Sequence, residues 1–263
     1  MLRADSVSFR YAVSGPEVLT DVTADFPTGA IVGILGPNGS GKTTLLRLLN
    51  GTRRPTRGQI VLDGTALDQF SRRALAQRMA IVPQETQLAF EYTVIEMVLM
   101  ARHPHLGLFE LEGPRDFAAA HDALGATGTE HLEHRPFSTL SGGEKQRVVI
   151  AAALAQSSGV LLLDEPTASL DPGYQLEVAA LVTRLNRDRG VTIVVSTHDL
   201  NLAASICSQL VMLRDGRVIA AGETAAVLTP DNVARLYDVA ADVRLHEASG
   251  HLVVVPVARL SRK

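Results

Sequence analysis

The sequence predicts an α/β fold built on a parallel sheet, with an N-terminal antiparallel β portion and an inserted helical subdomain. Three observations predict it. Apolar runs at residues 30–35, 160–163 and 191–195 have the length of buried strands. Helical segments alternate with the later runs, the pattern of a parallel α/β sheet. Between the early and late strands lies a helical, strand-poor block, placed as an insertion between two parts of the sheet.

The elements follow in order. Residues 2–9 and 18–26 read as two strands around a Ser14-Gly15-Pro16 turn. The strand at 30–35 runs into a glycine-rich loop, and Thr44-Leu45-Leu46-Arg47-Leu48-Leu49 reads as the helix after it. Residues 58–62 form a strand before an Asp63-Gly64 turn. A short helix over 72–78 precedes a strand at 79–82, which Pro83 stops. From Thr93 the period changes: Val94, Met97, Val98 and Ala101 recur at helical spacing. Further helices span 115–124 and 142–155, the latter with Val148, Ala151, Ala152 and Ala155 on one side. The sheet resumes at 160–163, followed by a helix at 174–187, a strand at 191–195 and a helix starting near Asp199. Strands at 210–213 and 217–220 turn at Asp215-Gly216. The segments 243–246 and 252–257 form a hairpin around Ser249-Gly250. There are no internal repeats or coiled-coil heptads.

Two motifs carry the chemistry. In Gly36-Pro37-Asn38-Gly39-Ser40-Gly41-Lys42-Thr43 the glycines let the backbone curl, so that successive N–H groups point at anionic oxygens. The helix start adds the positive end of its dipole. Lys42 can reach outer phosphates, and the Thr43 hydroxyl can ligate Mg²⁺. The second is Val160-Leu161-Leu162-Leu163-Asp164-Glu165, an apolar strand ending in two acids at the sheet end where α/β proteins bind ligands. Downstream of a phosphate loop, Asp164 is expected to hold Mg²⁺ through water and Glu165 to polarise the water that attacks a terminal phosphate.

Composition narrows the alternatives. The chain has 263 residues, 46% hydrophobic and 20% charged, enough for a sizeable core. A net charge of −3, no Trp and 4% aromatic residues argue against a nucleic-acid partner. The single cysteine, Cys207, excludes an internal disulfide, reads as an inert core thiol and fits a reducing cytosol. No apolar run approaches the roughly 20 residues of a membrane helix. His103, His105, His131 and His134 lack accompanying cysteines and are not read as a zinc site. Arg72-Arg73 reads as a solvated helix face or a partner surface, and Arg53-Arg54 as exposed.

The stretch Leu140-Ser141-Gly142-Gly143-Glu144-Lys145-Gln146 resembles the signature of the ATP-binding cassette (ABC) ATPases. Other landmarks of that family occur in the expected order over residues 2–237. Tyr11 matches the aromatic that stacks on adenine, and Gln84 the glutamine that reaches a Mg²⁺-bound water. Ser169-Leu170-Asp171 matches the D-loop, and His198 the switch histidine that contacts the γ-phosphate. The resemblance implies an ATPase that uses ATP and Mg²⁺. Its nucleotide site comprises Tyr11, Gly36, Pro37, Asn38, Gly39, Ser40, Gly41, Lys42, Thr43, Thr44, Glu144 and Asp171 and, reaching the γ-phosphate held by an opposite subunit, Ser141, Gly142 and Gly143. Catalysis falls to Glu165, His198, Gln84 and Lys42, and the metal to Thr43, Gln84 and Asp164. It also implies one ABC ATPase domain: a nucleotide-binding core at 1–86 and 159–238, a helical signature subdomain at 87–158 and a short C-terminal β extension at 239–263.

Val82-Pro83-Gln84, Phe90-Glu91-Tyr92-Thr93-Val94 and Ala101-Arg102-His103-Pro104-His105 resemble the ATPases of the type II importers for iron-siderophores, haem and cobalamin. Ala101 stands where that group has glycine. Expected partners are a second ATPase subunit as a homodimer, an integral membrane permease and, indirectly, a substrate-binding protein. The expected location is the cytoplasmic face of the inner membrane. Residues 84–105 are expected to face the permease, with charge reversal at Arg102 impairing transport more than basal hydrolysis. An exporter ATPase and a soluble assembly ATPase, as in iron–sulfur cluster biogenesis, stay open as alternatives. Specificity among the chelates lies in the permease and binding protein.

Overall fold

The computed structural model describes residues 1–84, 86, 90–156, 159–168 and 170–260. Two units are described, each by itself. The first comprises Met1–Gln69 and Thr192–Lys263, the second Phe70–Val191.

The first unit opens with β1 (Leu2–Phe9), β2 (Leu19–Phe26), β3 (Ile31–Leu35), α1 (Lys42–Leu49), β4 (Arg57–Leu62) and β5 (Thr65–Ala66). The second contains α2 (Arg72–Ala76), β6 (Met79–Val82), α3 (Val94–Met100), α4 (Pro114–Thr127), α5 (Gly142–Ala155), β7 (Val160–Asp164) and α6 (Pro172–Arg189). The chain then returns to the first unit with β8 (Thr192–Thr197), α7 (Leu200–Ile206), β9 (Gln209–Arg214), β10 (Arg217–Glu223), α8 (Thr224–Val227), α9 (Pro230–Tyr237), β11 (Val239–His246) and β12 (His251–Arg259).

In the first unit, β2, β1, β4 and β5 form an antiparallel sheet in that order. In β2, Leu19, Val22, Ala24 and Phe26 are buried while Asp21, Thr23 and Asp25 are exposed, the alternation of a half-covered strand. All five residues of β3 are buried, so its sequence is apolar without interruption. β3 lies parallel to β8, with Ile31 opposite Ile193 and Leu35 opposite Thr197, and parallel to β9 on its other side. That register sends the loops after β3 and β8 out of the same sheet end.

In the second unit β6 and β7 are parallel, with Met79 opposite Val160 and Val82 opposite Leu163. The segments leaving these strands therefore also share one end. α3 begins at a capping box, in which Thr93 and Glu96 satisfy the first free N–H groups. Its buried residues Val94, Met97, Val98 and Leu99 include three of the four positions read from the period. The N-terminal, phosphate-loop, helical and parallel-strand elements thus match the expected α/β order. The C-terminal hairpin is longer than expected, and α9, starting at Thr229-Pro230, is an element the sequence reading passed over. Cys207 is buried, which pushes its thiol up to about 12 and leaves it inert.

Candidate functional site

The phosphate loop is built by exclusion. A Cβ on Gly36 would lie 2.3 Å from the Leu213 carbonyl oxygen and 2.5 Å from Ser40 Oγ, so the loop closes only around glycine here. Gly41, with φ of 106°, is the left-handed residue from which α1 starts. Ser40 N–H donates to the Pro37 carbonyl at 3.1 Å, tightening the turn. Lys42 is 5% exposed, and its Nζ donates to the carbonyls of Gly36 at 2.9 Å and Pro37 at 3.3 Å. The ammonium is thus held inside the curl of the loop. Ser40 Oγ is buried with no hydrogen-bond partner. An orphaned hydroxyl beside a helix N-terminus and a buried ammonium fits an anionic group with several acceptor oxygens. Asn38 and Gly39 are exposed at the loop's mouth, and Thr43 and Thr44 enter α1.

Tyr11 reaches the same place. Its Oη lies 3.0 Å from Thr44 Oγ1, and its ring packs edge-on against Phe9 with centroids 5.0 Å apart. The ring is 53% exposed, and the Arg53 guanidinium lies 5.9 Å from its centroid. A pinned, solvent-facing aromatic next to a phosphate loop can stack a planar base. His198 directly follows β8 and is exposed. The parallel register of β3 and β8 places it at the sheet end from which the phosphate loop emerges. The first unit therefore brings Tyr11, Gly36 to Thr44 and His198 together.

The second unit assembles the remaining candidates in two groups. Asp164 ends β7 and is 5% exposed. Glu165 follows with φ of 47°, a left-handed conformation uncommon for a long side chain. A strained residue of this kind persists where the surroundings enforce it, and such residues cluster at functional sites. Gln84 leaves β6 at the same end and is exposed. The second group lies around α5. Ser141 is its N-cap, with Oγ accepting from Glu144 N–H at 3.3 Å while Ser141 N–H donates to Glu144 Oε2 at 2.8 Å. The Ser141 N–H holds the Glu144 carboxyl below the usual carboxylate range, with help from the Ser141 hydroxyl. Gly143 faces Tyr174, whose Cδ1 would lie 2.4 Å from a Cβ at that position. Leu170 Cδ2 would lie 3.5 Å from one on Gly142. Asp171 occupies the N-cap position of α6 next to these contacts and is exposed. Ser169 lies outside the described residues.

One expectation is overturned. Arg102 does not face outward; it is 8% exposed. Its Nε donates to Asp116 Oδ1 at 3.0 Å and its Nη1 to the Ala155 carbonyl at 2.6 Å, joining the start of α4 to the end of α5. The physical reason is that Asp116, in the first turn of α4, accepts from Gly113 N–H and needs a cation where the chain is buried. Around it, Arg73 donates to the carbonyls of Pro104 at 2.8 Å and His105 at 3.1 Å, and Gln77 Nε2 donates to Pro104 at 2.7 Å. The histidine-proline turn is thus a knot inside the second unit. Sequence reasoning also missed Tyr174 and the Tyr11–Thr44 bond, neither of which any local pattern signals. For α9 the signal was present: Thr229 as N-cap before Pro230 is a helix start.

Residues 19–168 match the family described as ABC transporter. A cobalamin import ATP-binding protein of Halobacterium salinarum is 42% identical over 245 residues, covering 93% of this chain. The chain spans 61% of that relative's length. A hemin import ATP-binding protein of Gloeobacter violaceus is 41% identical over 268 residues, covering 99% of this chain and 96% of that protein. Among solved structures, a chain from an inward-facing conformation of a metal-chelate type ABC transporter superposes with a TM-score of 0.85 at 31% identity, covering 97% of this chain and 96% of that one. A dimeric bacterial ABC transporter cassette superposes with a TM-score of 0.75 at 28% identity, covering 85% of this chain and 99% of its own. No helix among the described residues is long and apolar enough to cross a membrane.

Proposed function

The chain belongs to the ABC transporter family, and on that premise we propose that it is the ATP-hydrolysing subunit of a membrane importer for an iron chelate (siderophore or haem) or cobalamin. The observation that carries the proposal is the pairing of β3 with β8, which delivers a glycine-locked loop holding Lys42 and the residue His198 to one sheet end. The transported class is supported by the cobalamin and hemin import relatives and by the metal-chelate structure.

In this reading Tyr11 stacks the adenine, and backbone N–H groups between Asn38 and Thr44, with Lys42, hold the phosphates. Thr43, Gln84 and Asp164 would hold Mg²⁺: hydroxyl, amide and carboxylate oxygens suit a hard cation. Bound there, the ion would neutralise charge on the phosphate oxygens. Glu165 accepts the proton of the attacking water, and His198 contacts the terminal phosphate. Ser141, Gly142, Gly143 and Asp171 of a second copy complete the site, with Glu144 capping the helix that presents them. A homodimer therefore belongs to the mechanism, and the dimeric cassette structure supports that arrangement. The protein acts peripherally at the cytoplasmic face of the membrane on an integral permease, which a substrate-binding protein loads. Nucleotide-driven closure and reopening of the dimer move the permease.

The test has two arms. Affinity capture of the full chain from detergent-solubilised membranes is expected to retain a polytopic membrane protein; retention of soluble scaffold proteins instead would reverse the transport assignment. Glu165→Gln is expected to slow hydrolysis by about 10²–10⁴-fold while ATP still binds, because the amide keeps the shape and loses the base. ATP and Mg²⁺ should then increase the dimer seen by size exclusion, and Ser141→Arg should abolish the increase. Normal turnover in Glu165→Gln would remove this residue from catalysis.

A further inference from the structure

The loop that carries His198 is held from the C-terminal segment. β8 ends at Thr197 and α7 begins at Leu200, so His198 and Asp199 form a two-residue joint. Asp199 N–H donates to Thr197 Oγ1 at 3.0 Å, and its carboxylate accepts from the N–H groups of Asn201 at 2.9 Å and Leu202 at 3.0 Å. One turn on, Asn201 grips β12: its amide donates to the Val254 carbonyl at 3.2 Å and accepts from Val254 N–H at 2.8 Å. The third hold bears on His198 itself. Tyr237 Oη donates to the His198 carbonyl at 3.0 Å.

Tyr237 is well placed to impose a direction. It is the last residue of α9, whose first turn is capped by Thr229 and whose Val233 and Leu236 are buried. The next residue, Asp238, has φ of 56° and pairs with Arg214 at 2.8 Å. Asn232 Nδ2 anchors the helix to the Val227 carbonyl at 2.8 Å. The donor hydroxyl therefore sits on a rigid support. With its carbonyl tethered and the following residue capped onto α7, the His198 backbone has little freedom to rotate. The Cα–Cβ direction of its imidazole is fixed accordingly.

We infer that Tyr237 is a positioning residue for His198, which makes the segment from Pro230 onward part of the hydrolytic apparatus. The inference rests on the reading that His198 acts at the terminal phosphate. A side chain misaimed by about 1 Å can cost about 10²-fold in rate, so a single hydroxyl on its carbonyl is worth keeping.

The test uses the full chain with ATP and Mg²⁺, in single-turnover and steady-state hydrolysis. Tyr237→Phe keeps the ring and removes only the donor. It is expected to lower kcat by about five- to tenfold, the scale of one hydrogen bond, and to leave KM for ATP within about twofold. Thermal unfolding should shift by less than about 3 °C. In a His198→Ala background the same change is expected to cause no further loss, because the group it aims is gone. Wild-type kcat in Tyr237→Phe alongside an impaired His198→Ala would overturn the inference alone. So would losses that multiply in the double variant. Wild-type turnover in His198→Ala would overturn the reading of His198 and the inference with it.

Discussion

Replacing Arg102 tests whether its guanidinium locks α4 to α5 or serves an outward face. The pair with Asp116 leaves 10% and 11% of the two side chains exposed, and the guanidinium also satisfies the Ala155 carbonyl. Removing one member of a buried ion pair costs about 3–5 kcal/mol, because the other charge is stranded. The residual exposure puts Arg102→Ala near the low end, about 3 kcal/mol. For a chain of this size that is a fall in Tm of about 6–12 °C. Arg102→Glu adds a second carboxylate beside Asp116 and is expected to fall further. The chain has no Trp, so far-UV circular dichroism is the suitable readout of unfolding. Asp116→Ala should also destabilise, since it loses the bond from Gly113 N–H at 3.0 Å. The double alanine variant should cost less than the sum of the two. The pH dependence has a definite sign. Gly113 N–H and then Arg102 hold the Asp116 carboxyl below its usual range. Its contribution is present above the unfolded pKa and lost as pH falls through the lowered folded value, so the gap between wild type and Arg102→Ala should narrow in acid. An Arg102→Glu variant that melts with the wild type while losing only permease coupling would refute the buried-lock argument and restore an outward role.

Lys42→Ala should lose about 10–100-fold in ATP affinity, the worth of charge-assisted hydrogen bonds to phosphate, as measured by equilibrium binding of a labelled nucleotide; unchanged affinity would remove Lys42 from the site. Gly143→Ala should cost about 1–3 kcal/mol by driving a Cβ into the Tyr174 ring, and adding Tyr174→Ala should return part of that stability without restoring nucleotide-dependent dimerisation. The Glu144 carboxyl, lowered first by Ser141 N–H, contributes its cap above the unfolded pKa and loses it as pH falls through the folded value. Glu144→Gln caps as a neutral amide, so the protection factors of the amides at the start of α5, with the intrinsic pH dependence of exchange divided out, should fall in acid for the wild type and stay level for the variant.

The features legible in the sequence are those whose cause is local. β3 reads as a buried strand because both its faces are covered, which forces an apolar run. The phosphate loop reads as one because a curled backbone needs glycine at Gly36 and Gly41, and the structure gives each a separate reason: no room for a Cβ at one, a positive φ at the other. α5 announces its start through Ser141 and Glu144, which satisfy each other three residues apart. What stayed hidden depends on partners that spacing does not encode. Arg102 looked like a surface cation within a histidine-proline motif; its partners lie in α4 and at the end of α5, and only the packing of those helices makes it a lock. Tyr11 looked like a stacking platform, but the reason it stands still, the bond to Thr44, joins β1's end to α1 across the fold. Tyr237 carried no motif, yet it holds the carbonyl of a residue that did. The motif residues thus declare the chemistry, while the residues that aim them are scattered through the chain and become visible only when the backbone has been folded around them. A substitution such as Tyr237→Phe is therefore the sharper probe of mechanism: it leaves every motif intact and asks whether the motif's geometry, rather than its composition, is what works.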